Sequence, residues 1–361
     1  MPKRKHLTPV ITIAEEQIKL LEKLSNACSV SGDEGEVRAI VLEEIKSFVD
    51  EVRVDSLGNV LATRKARTPD ALKVMIAAHM DEVGFMLVND EGDGIFRFEI
   101  IGGINNRQLV GKPVLIGKDK VPGVIGAKPI HFTKADERKI PIPLDQLRID
   151  VGPGNSKNCN VGDRATFATR FATWGPSLIG KALDDRLGVA TLIELIKHAP
   201  ENIELQAAFT VQEENGLRGA RVAAYSMNPD LAIVIDSTPA NDLPVWDDEE
   251  NTRYNVKINH GPAIYRLDAG TLSDPRLINL LVNTGDELGI PYQYRQPGKG
   301  GTDAGAIHKQ RGGIPSVSVS VPGRYAHTAI LVARKVDWEN TLALIHASLQ
   351  RIDRQIFAAD R

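Results

Sequence analysis

Three strand-length runs of this chain are apolar almost throughout: KVMIAAHM at 73–80, LQAAFTV at 205–211 and LAIVID at 231–236. A fourth, IPSVSVSV at 314–321, reads as another strand. Runs this short with so little polar surface suit strands covered on both faces, as in a parallel sheet. Helical spacing fills the intervals. It predicts helices over about Arg186–His198, Gly219–Met227 and 272–289, the last with Pro275 in its first turn, and a long terminal helix from Asp337. Strands alternating with helices specify an α/β fold, a mostly parallel sheet flanked by helices on both faces.

Upstream, Ile18, Leu20, Leu21 and Leu24 keep helical spacing, and Ser31 stands three residues before Glu34 at the head of a second apolar stripe, the pattern of a capping box. VRVDSLGNVLATR reads as two short strands around a turn at Leu57-Gly58-Asn59. Between about Gly84 and Phe171 the helical period disappears. Gly, Pro and short β-like runs such as IFRFEII and PGVIGAKP follow at close intervals, as in a small β barrel or sandwich. The chain therefore reads as one α/β domain over 1–84 and 172–361, interrupted by a barrel-like β domain over 85–171.

A net charge of −3 gives no basis for a nucleic-acid or anionic-membrane partner. With only Cys28 and Cys159, a disulfide framework is not expected and a reducing compartment is. The first residues lack the apolar stretch of a secretory signal, and no run is long enough to cross a bilayer, so the expected location is the cytoplasm.

Ligand sites of open α/β sheets lie beyond the carboxyl ends of the strands. Here those positions hold His79 with Asp81, Asp184 in KALDDRLG, Glu213-Glu214 in FTVQEENG, Asp236 in IVIDST and His327 in PGRYAHT. All are carboxylate or imidazole, and none is lysine or arginine. Asp81, two residues past His79, either stands behind it to accept from its free ring nitrogen or is a solvated residue starting a turn. Neighbouring glutamates at a strand end diverge, so one can bind a metal while the other serves as general base. At the entry to a helix Asp185 suits an N-cap, which leaves Asp184 to point into the cleft and bridge two cations. Two divalent ions are balanced by Asp184, Asp236, one glutamate (Glu214 in this count) and a shared hydroxide, with the two histidines neutral. That is a two-metal hydrolytic arrangement. Oxygen and nitrogen ligands without thiolate suit zinc first, or cobalt or manganese.

Taken with IGAKPIH, VGDRATF and GTDAGAIH, these motifs in this order resemble the co-catalytic metallo-aminopeptidases of the tetrahedral (TET) type over nearly the whole chain. Members of that family also go under glutamyl, leucyl or deblocking aminopeptidase and endoglucanase M. The resemblance implies a zinc-exopeptidase-like fold in which His79, Asp184 and Asp236 hold one metal and Asp184, Glu214 and His327 the other. It makes Glu213 the general base and Asp81 the residue that orients His79. It also implies a cis peptide at Asp184–Asp185, a dimerisation role for the inserted β domain, peptide substrates, and a homo-oligomer built from dimers, up to a dodecamer. Asn215, Lys299 and Ser237 depart from the family's usual residues without removing a ligand, and leave the preferred substrate side chain open. Asp303 is expected to support the site, whereas His308 and His131 are read as structural.

The function expected is therefore a dinuclear-metal aminopeptidase in which Glu213 activates a water between the metals. The alternatives are a metal-dependent carboxypeptidase or deacylase, an endoglucanase, for which 5% aromatic residues offer little sugar platform, or a silent oligomeric shell.

Overall fold

The structure, a computed structural model, describes residues 11–243, 256–295, 298 and 300–358; Lys299 lies outside them. Helices α1 (Glu15–Asn26) and α2 (Gly35–Ile45) precede a hairpin of β1 (Glu51–Val54) and β2 (Val60–Arg64), and then β3 (Leu72–His79). Six strands next close into a barrel: β4 (Gly84–Gly92), β5 (Ile95–Ile101), β6 (Pro113–Ile116), β7 (Val121–Gly126), β8 (Arg148–Asp150) and β9 (Arg164–Phe167), in the spatial order β4-β5-β8-β7-β6-β9. The chain returns through β10 (Ala172–Trp174), β11 (Ser177–Gly180), α3 (Leu183–Lys197), β12 (Ile203–Thr210), α4 (Arg218–Met227) and β13 (Leu231–Pro239). It continues with β14 (Ala263–Tyr265), α5 (Pro275–Leu288), β15 (Gln293–Arg295), α6 (Ala304–Ile307), β16 (Ser316–Arg324), β17 (Leu331–Arg334) and α7 (Lys335–Leu349).

The main sheet has eleven strands in the order β1-β2-β12-β3-β13-β16-β17-β11-β10, with β14 and β15 attached beside β16. Its centre, β12-β3-β13-β16, is parallel, and its flanks are antiparallel. The sheet is thus more mixed than the apolar runs suggest. Parallel pairing requires a crossover, which helices supply at the centre and, through α5, in the attached parallel pair β14-β15, whereas the flanks are built from hairpins and edge strands.

Strand parity carries the centre's ends into the site. Val74, Ile76 and Ala78 of β3 enter the larger core with α1, α2, α3 and α7, while Met75 and Ala77 enter a smaller one with Ala220, Ala223 and Ala224 of α4 and Ile307 of α6. β13 divides likewise, Ile233 and Ile235 against Ala232 and Val234. Ala232 lies opposite Met75 and Val234 opposite Ala77, so the next residues of that parity, His79 and Asp236, emerge side by side on one face.

The barrel has its own core, in which Phe85 meets Phe98 and Phe167 edge-on, each with centroids 5.2 Å apart. Barrel, sheet and N-terminal helices join on one buried carboxylate. Glu82 accepts from Lys181 Nζ at 2.8 and 2.9 Å, Arg186 Nη2 at 3.3 Å, Thr166 Oγ1 of β9 at 2.7 Å and the Ser29 N–H at 2.9 Å.

The capping box expected at Ser31 and Glu34 is absent: α2 starts at Gly35 with no side-chain cap. Ser31 Oγ donates instead to the Asp81 carboxylate, a charged acceptor that holds a hydroxyl more strongly than a helix-end N–H does. Both cysteines are free thiols. Among the described residues, no helix is long and apolar enough to cross a membrane.

Candidate metal centre

Separate segments deliver the site. His79 ends β3, Asp236 lies in β13, Asp184 and Asp185 open α3 ahead of its regular turns, Glu213 and Glu214 follow β12, and His327 sits in the turn between β16 and β17. The structure brings these residues together. His79 Nε2 lies 3.3 Å from Asp184 Oδ1 and 3.7 Å from Asp236 Oδ1. His327 Nε2 lies 3.4 Å from Asp184 Oδ2 and 3.6 Å from Glu214 Oε2. Each oxygen of Asp184 therefore faces a different imidazole, with Asp236 beside one and Glu214 beside the other. These separations are long for hydrogen bonds. They match the spacing of about 3.3 Å between ligand atoms of a tetrahedral ion whose bonds are about 2.0 Å.

Asp185, like Asp184, is near enough to His79 and Asp236 to join a ligand group. Its oxygens, however, already accept backbone donors, the His79 N–H at 3.3 Å and the Gly188 N–H at 3.0 Å. The second is the bond of a helix N-cap. Among the described residues Asp184 accepts no backbone donor, which leaves both of its oxygens open toward the imidazoles. The peptide between them is cis, as the resemblance implies.

Electrostatics points the same way. Among the described residues, no lysine or arginine pairs with Asp184, Asp185, Glu213, Glu214, Asp236 or Asp303. Burial raises Glu214 to about 8, Asp303 to about 7 and Asp236 to about 6, and lifts Glu213 and Asp185 well above the usual carboxylate range. Burial opposes the charged imidazoles too, but the acids win: Asp184 and Glu214 lift His327 to about 10, and Asp184, Asp236 and Asp81 raise His79. Asp184 is held below its ordinary value by both histidines, against its own desolvation. So many buried acids, with two imidazoles and, among the described residues, no lysine or arginine to offset them, form a site that a divalent cation stabilises. The N and O donors fit such an ion, and the cluster can hold a metal.

Asp81 lies beneath. His79 Nδ1 is 3.1 Å from the Asp81 carbonyl oxygen and 3.6 Å from its carboxylate, so the backbone, more than the side chain, meets the imidazole. The carboxylate accepts the Glu213 and Glu214 N–H groups at 3.0 and 3.1 Å. Arg186 also donates to the Asp81 carbonyl, at 3.1 Å, and to that of Met80. Asp303 is buried and accepts from Thr210 Oγ1 at 2.5 Å. His308 Nδ1 is tied to the Ala304 carbonyl at 2.6 Å, a structural bond. Asn215 is exposed beside the glutamates, and His131 lies exposed in a 3-10 turn over Ile130–Phe132, between β7 and β8.

Sequence reasoning missed Ser31, Thr210 and Gly103, whose carbonyl oxygen lies 3.0 Å from His327 Nδ1. A signal for the last exists in the glycine pair of IIGGIN. A Cβ on Gly102 would meet Val83 at 2.7 Å and Glu214 Cβ at 3.4 Å, and one on Gly103 would meet His327 Nδ1 at 3.1 Å. The barrel thus reaches into the site at a place where only glycine fits.

A sheet with a barrel inserted after its third strand, and acids and imidazoles gathered at the carboxyl ends of its parallel strands, is the architecture of a sheet-based metallopeptidase. Comparison with known proteins supplies the family. The family model of the M42 glutamyl aminopeptidases matches residues 58–344, and the chain belongs to that family. A relative from Acetivibrio thermocellus, named "Putative aminopeptidase", is 37% identical over 92% of this chain and 98% of its own. The TET aminopeptidase from the marine sediment archaeon Thaumarchaeota archaeon SCGC AB-539-E09 superposes with a TM-score of 0.90 at 31% identity, covering 95% of this chain and 99% of that one. The TET1 peptidase of Pyrococcus horikoshii, which can assemble into a tetrahedron or a large octahedral shell, superposes at 0.80 with 30% identity over 92% and 98%. The chain is accordingly a hydrolase acting on peptide bonds, an aminopeptidase.

Proposed function

We propose that this protein removes N-terminal residues from peptides at a dinuclear metal site, with Glu213 as general base. One metal is assigned to His79, Asp184 and Asp236, the other to Asp184, Glu214 and His327, zinc first and cobalt or manganese as alternatives. The observation that carries the reading is the divided carboxylate of Asp184, with one oxygen toward each histidine. Two divalent ions bound there would polarise the scissile carbonyl and make a water acidic enough to deprotonate near neutral pH. Asp236 and Glu214 balance positive charge, while Gly103 fixes the outer nitrogen of His327 and the Asp81 carbonyl that of His79. Glu213 ligates nothing in this scheme and is raised in pKa by burial, which suits a group that takes a proton from the attacking water and passes it to the leaving amine.

In this reading residues 85–171 form a dimerisation domain, 1–84 and 172–361 carry the chemistry, and the protein works in the cytoplasm as a homo-oligomer of dimers. The assemblies of the TET1 relative support the oligomer.

The test loads purified protein with zinc, cobalt or manganese and compares a peptide with a free N-terminus, its N-acetylated form, and the Glu213→Ala variant. Release of the first residue from the free peptide alone, lost in the variant while bound metal is retained, is expected. Cleavage of the acetylated peptide or release from the carboxyl end would replace the reading with a deacylase or carboxypeptidase. Unchanged activity in Glu213→Ala would remove Glu213 as base.

A further inference from the structure

The turn between α1 and α2 is laced to the glutamate pair by bonds that its own folding does not require. Ser31 is buried, and its Oγ donates to Asp81 Oδ2 at 2.5 Å. That carboxylate also accepts the Glu213 N–H on Oδ1 and the Glu214 N–H on Oδ2. Glu34, also buried, accepts the Gly32 N–H at 2.6 Å and the Gln212 N–H at 3.3 Å on one oxygen. Residues 31–34 therefore reach residues 212–214 by two routes, one through Asp81 and one direct. Gln212 itself has a φ of +55°, a left-handed conformation that a side chain does not adopt without support from its surroundings.

The Asp81 carboxylate has another partner within reach, since Oδ1 lies 3.6 Å from His79 Nδ1. Three donors hold it toward the glutamates and leave His79 Nδ1 on the Asp81 carbonyl. Without the Ser31 hydroxyl, Oδ2 keeps one backbone donor and the carboxylate is free to turn toward the imidazole. The peptide planes of Glu213 and Glu214 would turn with it, and both side chains with them.

We propose that Ser31 and Glu34 are positioning residues of the hydrolytic site: together they fix the backbone from which Glu213 and Glu214 project. The proposal rests on the function assigned above, and its test carries a readout independent of turnover. Metal-loaded, full-length Ser31→Ala is compared with Ser31→Thr, Glu34→Ala and the unsubstituted protein. Bound metal, kcat and KM on an N-terminal reporter peptide, and amide hydrogen exchange are measured for each.

The expected result for Ser31→Ala is a kcat lowered about 10–100-fold, with metal content retained and KM within about threefold. Ser31→Thr, which keeps the hydroxyl, should recover most of the loss. Exchange should accelerate over residues 211–217 in Ser31→Ala and Glu34→Ala, with the barrel core unchanged. Unchanged exchange over that segment, or a fall in kcat that follows lost metal, overturns the proposal. If the unsubstituted protein releases no N-terminal residue from any reporter, the hydrolytic reading fails, and the exchange data still decide whether these residues hold the turn.

Discussion

Asp184 does at the scale of one residue what no neighbour can replace. Its two oxygens address His79 and His327, whereas both oxygens of Asp185 are occupied by backbone donors. In Asp184→Asn one of those positions becomes an NH2 group, which repels a cation and donates where an acceptor is needed. We expect elemental analysis to find less metal than in the unsubstituted protein, with hydrolysis falling in step; full metal content in this variant would reject the bridge. Glu213→Gln should behave differently, keeping its metal while kcat falls about 10²–10⁴-fold, because only proton transfer is removed. The types of these residues were legible in the sequence because acids and histidines at the ends of apolar strands have few other uses. Their partners were not. Ser31 carries a capping pattern and goes to Asp81 instead, and the oxygen facing His327 Nδ1 belongs to a backbone that any residue type has.

Elements were legible where one period dominates. The apolar runs at β3 and β13 and the capped helix α5, with Asp274 accepting the Arg276 N–H and Pro275 at its start, lie where the sequence places them. The long terminal helix is shorter than its spacing suggests: α7 stops at Leu349, and Asp353 then caps a separate 3-10 turn over Arg354–Phe357. What spacing cannot show is how elements join. Lys181 and Arg186 lie in KALDDRLG and Glu82 three residues past His79, yet their role emerges only when β9, the end of β11, α3 and the turn after α1 converge on one buried carboxylate. Truncating Glu82 would leave two cations buried without a counter-charge. Breaking such a pair typically costs about 3–5 kcal/mol, and Glu82→Ala should lose about that much in denaturant unfolding. Loss below about 1 kcal/mol would mean that water reaches the joint.

The charge of the whole site should show in the stability of the whole molecule. Burial raises Glu214 from 4.5 to about 8 and Asp236 from 3.8 to about 6, so between these values the native state holds protons that the unfolded chain has released. Stability must then fall as pH rises through that window. His327 acts in the same direction. Raised from 6.5 to about 10 by its acidic neighbours, against the effect of burial, it contributes stability that is complete below 6.5 and lost as pH climbs through about 10. The depression of Asp184 lies below 3.8 and leaves the window untouched. Protein stripped of metal by a chelator should therefore lose Tm steadily from about pH 5 to about pH 9. Divalent ions replace the protons as counter-charge and bind more tightly as competing protons leave, so the metal-loaded protein should change far less. The gap in Tm between loaded and chelated samples should widen with pH. A gap that stays constant over that range would mean that these acids do not share their site with a metal, and the dinuclear assignment would fall with it.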